Sequence, residues 1–351
     1  MNTKNITISN NEKLSLFSTL STMINAGIPI LEAVDSIVED SKGNTKKIVE
    51  SIRDDLIQGK SLSTAFSKFP SVFNKVTINV VKASEEAGTL DIVLKDLKIQ
   101  LQKDMVFMDN IKSAITYPII ILVLFLVVLV IILVAVVPKI ATVFTSLRVQ
   151  LPLPTQILIF MSNFILHNTI LFLGGIVIIA GALTFLFKLK KSIIMSFIFS
   201  LPLISNLIKE IDLVRFSRGM YLLLSSGITI TSALILAQEI VMRKDIAKVI
   251  SISQETVLSG KKLSEAFKDK KTIFPGIVIK IIEAGEKTGT LDKSMEEIAE
   301  YMDYQVNSTL KTVISLLEPL MLVFVGLLVG GMMMSIIGPI YGLISQVGGG
   351  R

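Results

Sequence analysis

KASEEAGTLD, Lys82 to Asp91, is followed by an amphipathic run, by TYP at Thr116 to Pro118 and by an aliphatic segment closing in VVP at Val136 to Pro138. One continuous segment thus leaves a polar domain and enters a bilayer. The chain then repeats the device. IEAGEKTGTLD, Ile282 to Asp292, leads through a second amphipathic run to Glu318 and Pro319, then to an apolar segment ending at Gly338 and Pro339. Gly88 pairs with Gly289, Leu90 with Leu291, Asp91 with Asp292, Pro118 with Pro319 and Pro138 with Pro339, all at an offset of 201. Five matches in one register mark an internal duplication.

Composition sets the class. With 51% hydrophobic residues and a mean hydropathy of +0.68, the 351-residue chain reads as an integral membrane protein with large polar parts. Cysteine is absent, so no disulfide and no thiolate metal site is available, in keeping with a reducing cytoplasm. The net charge of +6 is dispersed: cations and anions balance at 14 each over residues 1–117 and stand at 18 against 15 over residues 188–318. Direct nucleic-acid binding has no electrostatic footprint here. The opening MNTKNITISNNEK is too polar for a signal peptide and reads as a flexible tail.

A spanning helix needs about 20 apolar residues. Three segments qualify: Ile119 to Val137, Ile170 to Phe187, and about Leu320 to Ile337. Gln156 to Leu166 is uncharged, but Gln156, Ser162 and Asn163 within it and Pro152, Pro154, His167 and Asn168 beside it make it an interfacial helix instead. Lys103 and Lys112 precede the first span and Lys188, Lys190 and Lys191 follow the second, whereas the loop between offers Lys139 and Arg148. Cation bias places both polar domains in the cytoplasm. Two equivalent domains that each feed a helix outward need one extra span to bring the chain back, and the unpaired second span is that return.

Helical signals fill both polar domains. Leu16, Leu20, Met23 and Ile24 share a face that stops at Gly27, and Pro29 opens a helix to about Glu39. Further helices run from about Asn44 to Ile57, from a cap at Ser61, and from Asn74 to Ala87. Leu94, Leu97 and Leu101 begin a sixth that runs on to the membrane. In the second copy LLSSGITITSA echoes MINAGIPILEA, GKKLSEAF echoes GKSLSTAF, and Met295, Ile298 and Met302 replace the three leucines.

The expected architecture is an all-α membrane protein with two homologous cytoplasmic six-helix bundles and three transmembrane helices. Residues 1–12 form a tail, 13–117 bundle 1, 118–138 the first span, 139–169 an outer loop with the interfacial helix, and 170–187 the second span. Residues 188–214 form an amphipathic connector, 215–318 bundle 2, 319–344 the third span and 345–351 an outer tail. The amino terminus is then cytoplasmic and the carboxyl terminus outside.

Little here is catalytic. GlyLysSer at 59–61 resembles the end of a phosphate-binding loop, but the required earlier glycine is Asp54 and the second copy reads GlyLysLys, so a cap or turn is the better reading. The one histidine, His167, has no partner histidine, and no metal, cofactor or catalytic residue is expected. Glu85 and Glu86, with Glu283, Glu286 and Lys287, stand at the ends of helices, where the helix dipole disfavours carboxylates. A solvated face with an ion pair to Lys82 or Lys287 is the simpler account, and a partner-facing surface the functional one. Gly88 and Gly289 end helices, and Pro118 and Pro319 stand where helices enter the bilayer, so these four are expected to couple domains to spans. Gly326 and Gly330 form GxxxG, which permits close helix packing, internal or between subunits.

These residues resemble the inner-membrane platform proteins of type II secretion, type IV pilus and competence systems. The likeness rests on Ile111, Ala114, Ile115, Tyr117 and Pro118 before a span closing in Val136, Val137 and Pro138, on RFSRGMYLLLSSGI from Arg215, and on both GTLD turns. Asn110 stands where the family pattern is usually basic and Phe125 where it is usually small. The resemblance implies a non-enzymatic platform that couples a cytoplasmic hexameric assembly ATPase to extraction and polymerisation of pilin or pseudopilin subunits. It also implies contact with other inner-membrane assembly proteins and membrane lipids, and a homo-oligomer. An oligomeric transporter or channel subunit is the alternative from another class, with three spans and no paired intramembrane charges to support it.

Overall fold

The structure, a computed structural model, describes residues 6–146, 153–168 and 202–348, with residues 171, 174 and 181 besides. Every secondary-structure element among them is helical. The first repeat comprises α1 (Asn10–Asn25), α2 (Ile30–Asp40), α3 (Gly43–Ile57), α4 (Leu62–Ser67), α5 (Lys75–Ala87) and α6 (Leu90–Ile131). A π-helical turn, Ile132–Val136, leads into α7 (Val137–Ser146), and α8 follows at Leu153–His167. The second repeat comprises α9 (Pro202–Ser225), α10 (Ile230–Gln238), α11 (Lys244–Leu258), α12 (Leu263–Phe267), α13 (Gly276–Thr288) and α14 (Leu291–Gly348). The chain divides into two compact units: Met1–Asn110 with Ser205–Ser308, and Ile111–Ile204 with Thr309–Arg351. Both polar repeats therefore share one unit.

Four boundaries differ from the sequence expectation. The tail does not extend to residue 12, because Ser9 caps α1 in a reciprocal box with Glu12. Glu12 also accepts from Thr45 Oγ1 at 2.8 Å, which ties the start of α1 to α3. The connector does not end at 214 as a separate element, since residues 202–214 are the first half of α9. Asp212 there is wholly buried and accepts the backbone N–H groups of Met242 and Arg243 at 2.8 and 2.7 Å. Burial pushes its carboxyl up, and the two donors pull it back. Asp212 is thus the counterpart of Glu12, 200 positions on, fastening α9 to the start of α11. The first membrane helix, finally, does not stop at Pro138 but continues through α7 to Ser146, and α14 runs past residue 344 to Gly348. The expected second span, 170–187, lies outside the described residues except at 171, 174 and 181.

Three phenylalanines pack together in the core of each repeat. Phe66 and Phe73 stack at 3.9 Å with Phe17 edge-on, and Phe267 and Phe274 stack at 4.0 Å with Phe216 edge-on. All six are 1% exposed or less. Burial contributes about 1.5–3 kcal/mol for each ring, and ring geometry about 0.5–1.5 kcal/mol per pair. The stacked rings sit on α4 or α12 and on the loop that follows, so these short helices are held by tertiary packing, not by their own propensity.

Gly88 and Gly289 close α5 and α13 with φ of 70° and 73°. A Cβ would be strained there, and the left-handed turn lets Thr89 N–H reach Ser84 O at 2.9 Å and Thr290 N–H reach Gly285 O at 3.0 Å. The chain reverses and enters α6 or α14. Neither Pro118 nor Pro319 ends its helix.

Among the described residues two helices are long and apolar enough to cross a membrane, one within Leu90–Lys139 and the other within Leu291–Gly331. Their apolar side chains, among them Leu122, Leu126, Leu322 and Leu327, are exposed in the single chain. Phe125 on α6 meets Phe324 on α14 edge-on at 6.2 Å, so the bulky residue at that position serves as a contact between the two apolar segments. A Cβ built on Gly326 or Gly330 meets nothing within 4 Å, so the GxxxG pair mediates no close contact among the described residues of this chain.

Pro138 has no N–H to donate, and in the π register that bond would run to Leu133 O. Ser162 on α8 donates its Oγ–H to Leu133 O at 2.6 Å in a buried setting, replacing it. Helix α8 therefore folds back on the π turn, with Leu133, Val137 and Ile165 forming a small core. The expected interfacial helix is packed against protein on one side. Ser162→Ala leaves a buried carbonyl without this donor, at about 1–3 kcal/mol. Thermal denaturation of the detergent-solubilised protein should show a loss for Ser162→Ala and little for Ser162→Thr. The Pro138→Ala/Ser162→Ala pair should recover part of it, because the alanine that replaces the proline brings its own N–H.

Candidate functional site

The repeated turn sorts the acidic residues by register. At the offset of 201, Glu85 matches Glu286, Lys82 matches Glu283 and Glu86 matches Lys287. Glu85 accepts Leu62 N–H at 2.5 Å, Ser63 N–H at 3.1 Å and Ser63 Oγ–H at 2.6 Å. Glu286 does the same for Leu263 N–H, Ser264 N–H and Ser264 Oγ–H at 2.5, 3.2 and 2.5 Å. Each carboxylate satisfies the unpaired donors opening α4 or α12, where the helix dipole favours negative charge. Their placement at a helix C-terminus follows from work done for a neighbouring helix. Ser61 caps α4 as well, accepting Thr64 N–H, which gives GlyLysSer its turn role.

Glu86 and Glu283 face outward. Lys82 and Glu86 stand 4.0 Å apart, and Lys287 donates to Glu283 at 2.7 Å. The pair keeps its position in both copies with its polarity reversed. The bond from Lys287 holds the Glu283 carboxyl below its ordinary range. Of the acidic residues expected to face a partner, these two are the exposed ones.

A second polar assembly joins the repeats and was not singled out from the sequence. Arg218 on α9 is 7% exposed, yet its guanidinium donates to Asp104 on α6 at 2.5 Å and to Asp303 on α14 at 3.1 Å. It also lies over the Phe107 ring, 5.2 Å from the centroid. Beside it, Lys103 on α6 donates to Glu296 and Glu300 on α14 at 3.3 and 3.1 Å. Arg218, Asp303, Lys103, Glu296 and Glu300 line a cleft of about 350 Å³ with Gln100, Tyr221 and Tyr304. Burial raises the Asp303 carboxyl, with Arg218 opposing and Asp104 assisting. Burial and then the surrounding carboxylates, Asp96 first, push the Tyr221 hydroxyl up to about 12. The cleft binds α6 to α14 a few turns before each enters its apolar segment. The network ties α6 to α14, and among the described residues no group of three or more His, Cys, Asp or Glu is placed to hold a metal ion. No local pattern marks Arg218 in the sequence, since its two carboxylate partners lie 114 and 85 residues away.

Comparison with known proteins agrees with the duplication. Residues 16–138 and 216–339 each match the family described as type II secretion system protein F. The chain is 30% identical over 343 residues to the type IV pilus assembly protein PilC of Thermus thermophilus, covering 95% of this chain and 83% of that one. It is 27% identical over 341 residues to PilC of Pseudomonas aeruginosa, covering 94% and 89%. Type II secretion system protein F of Pseudomonas aeruginosa is 27% identical over 335 residues, covering 94% and 82%.

Proposed function

Because this chain belongs to the type II secretion system protein F family, we propose that it is the inner-membrane platform of a type IV pilus or type II secretion-like assembly machine. The observation that carries this reading is the match of both repeats, over nearly the whole chain, to relatives named for those two machines. The chain has three spans and two cytoplasmic six-helix bundles, with residues 170–187 as the return span. It is not an enzyme. A cytoplasmic hexameric ATPase acts on the bundles, and the motion passes along α6 and α14 to pilin or pseudopilin subunits in the bilayer. Other inner-membrane assembly proteins and further copies of this chain complete the platform. The salt-bridged cleft supports that mechanism, because a force applied to either helix there is shared by both. Gly88 and Gly289 set the turn into each lever, and Pro118 and Pro319 set its entry into the membrane.

The test combines topology with assembly. A reporter fused near Arg148 should read as outside and one near Lys190 as inside. Glu86→Lys and Glu283→Lys should reduce filament assembly while insertion and protein level stay normal, since both carboxylates are exposed and neither caps a helix. Reversed reporters would sink the topology, and full assembly in both variants would remove these carboxylates from the partner surface. Crosslinks from the bundles that persist in cells lacking the ATPase would count against it as the partner.

A further inference from the structure

The second repeat carries a basic surface that the first lacks. The loop from α12 into α13 and the first turns of α13 present Lys268, Lys270, Lys271 and Lys280, all exposed, with Asp269 the one acid among residues 268–280. At the offset of 201 these lysines take the places of Ser67, Phe69, Pro70 and Asn79. The lysines around the matching loop of the first repeat are held inside the fold: Lys60 and Lys68 reach the buried Asp55 at 2.8 and 2.5 Å, and Lys75 reaches Glu239 at 2.8 Å. Thr256 stands in the place of Asp55 in the second repeat. Among the described residues none of Lys268, Lys270, Lys271 and Lys280 forms an ion pair. Ile277, a neighbour of Lys280 on one face of α13, is 45% exposed, whereas its counterpart Val76, on the helix that packs against α10, is 4% exposed.

Helix α9 shows which end of the repeat this is. Its Arg218 reaches Asp303 on α14, and Tyr221, three residues on, lies in the field of Glu296 and Asp292. The two helices are therefore antiparallel. Lys209, nine residues before Arg218, donates to Thr272 O of the lysine loop at 3.3 Å. At 1.5 Å per residue Lys209 lies about 13 Å from Arg218 toward the apolar end of α14, and Pro319 lies about 24 Å from Asp303 in the same direction. The loop thus sits about 10 Å short of the level at which α14 enters its apolar segment. A headgroup layer is about 5–7 Å deep and charges act over about 8 Å at physiological salt, so the ammonium groups are within range of the leaflet.

We propose that Lys268, Lys270, Lys271 and Lys280, set around Ile277, dock the second repeat on anionic lipid headgroups. Exposed lysines beside an apolar side chain suit a surface that is negatively charged and apolar underneath. The inference rests on the placement of the apolar segments in a bilayer and goes beyond it: any span touches lipid, whereas here a polar repeat binds headgroup phosphate by charge. The first repeat, its lysines paired internally, has no such tether. The two copies of the duplication are then mechanically unlike, one fastened to the membrane surface and the other free to be moved.

The absence of cysteine makes the test direct. Thr272→Cys in one full-length chain and Ser71→Cys, its counterpart, in another are labelled with a fluorophore and reconstituted in nanodiscs that contain a neutral headgroup-attached quencher. The discs are phosphatidylcholine alone or an equal mixture with phosphatidylglycerol. Quenching at Thr272 should be at least ~threefold stronger in the mixed discs and should fall back in about 1 M salt, where charges act over about 3 Å. Lys268→Gln with Lys270→Gln and Lys271→Gln should abolish the difference, and the Ser71 label should read alike in both discs. Inorganic phosphate added to phosphatidylcholine discs should shift neither label. Equal quenching at Thr272 in the two lipids, a composition effect as large at Ser71, a triple variant quenched like its parent, or a response to inorganic phosphate without anionic lipid would each overturn the proposal. The comparison of lipids in the parent chain stands whether or not the triple variant inserts. Nanodiscs expose both leaflets, so a reversed reporter at Arg148 would overturn the topology and leave this result intact.

Discussion

Arg218→Met is expected to destabilise the unit that holds both repeats by about 1–3 kcal/mol at neutral pH, while the triple variant Arg218→Met/Asp104→Asn/Asp303→Asn recovers most of that loss. Arg218 is 7% exposed and joins three helices. Removing it strands Asp303, whose carboxyl burial already raises, beside Asp104 with no guanidinium between them. Replacing the carboxylates with amides as well takes away the uncompensated charge and keeps the packing over Phe107. The defect also has a definite pH sense. A carboxyl whose folded pKa lies above its unfolded value binds protons more readily when folded, so folded stability falls as pH rises through the interval between the two. Without Arg218 that interval widens upward for Asp303, and the loss seen at about pH 7.5 should shrink toward about pH 5. Protease resistance of the detergent-solubilised protein at both pH values measures it. A triple variant no better than Arg218→Met, or a deficit unchanged by acid, would show that packing and not charge is at stake.

What the sequence made legible and what it did not divide along a physical line. Helix starts and stops were readable because they are local: Ser61 and Asn74 cap α4 and α5, and Gly88 and Gly289 take the left-handed conformation that ends α5 and α13. The duplication was readable because the glycines and prolines punctuating it keep one offset. The acidic residues were harder. Grouping them by nearness to the glycine set Glu85 with Glu86 and Glu283 with Glu286, whereas the repeat register separates a capping pair, Glu85 and Glu286, from an outward pair of reversed polarity. The Arg218 network lay beyond reach for a different reason. Its partners are 114 and 85 residues away, and Ser18 occupies the corresponding place in the first repeat, so neither local pattern nor internal symmetry announced it. The π turn at Ile132–Val136 was equally silent, since Pro138 marks a missing donor but not the side chain that replaces it.

The adjacent acids Glu85 and Glu86 give the sharpest contrast in the molecule. Glu85→Ala removes an ionised acceptor from three donors at the start of α4, and a hydrogen bond to a charged group contributes about 1.5–3 kcal/mol net when it is buried. Because α4 is part-exposed, a net loss of roughly 2–3 kcal/mol is expected, or a fall of about 4–12 °C in melting temperature for a unit of this size. The loss should spread beyond the cap, since Phe66 on α4 is held against Phe73 and Phe17 only while that helix keeps its first turn. Glu286→Ala should act in the same way through Phe267 and Phe274. Glu86→Ala should change stability by less than about 0.5 kcal/mol, because its carboxylate is 71% exposed and 4.0 Å from Lys82. Thermal denaturation of the four proteins, wild type included, decides the matter. Equal melting temperatures for Glu85→Ala and Glu86→Ala would mean that the carboxylate of Glu85 does not hold α4. In that event Glu85 and Glu286 would return to the group of residues available to a partner, and the loss of assembly expected from Glu86→Lys would have to be sought in all four acidic positions.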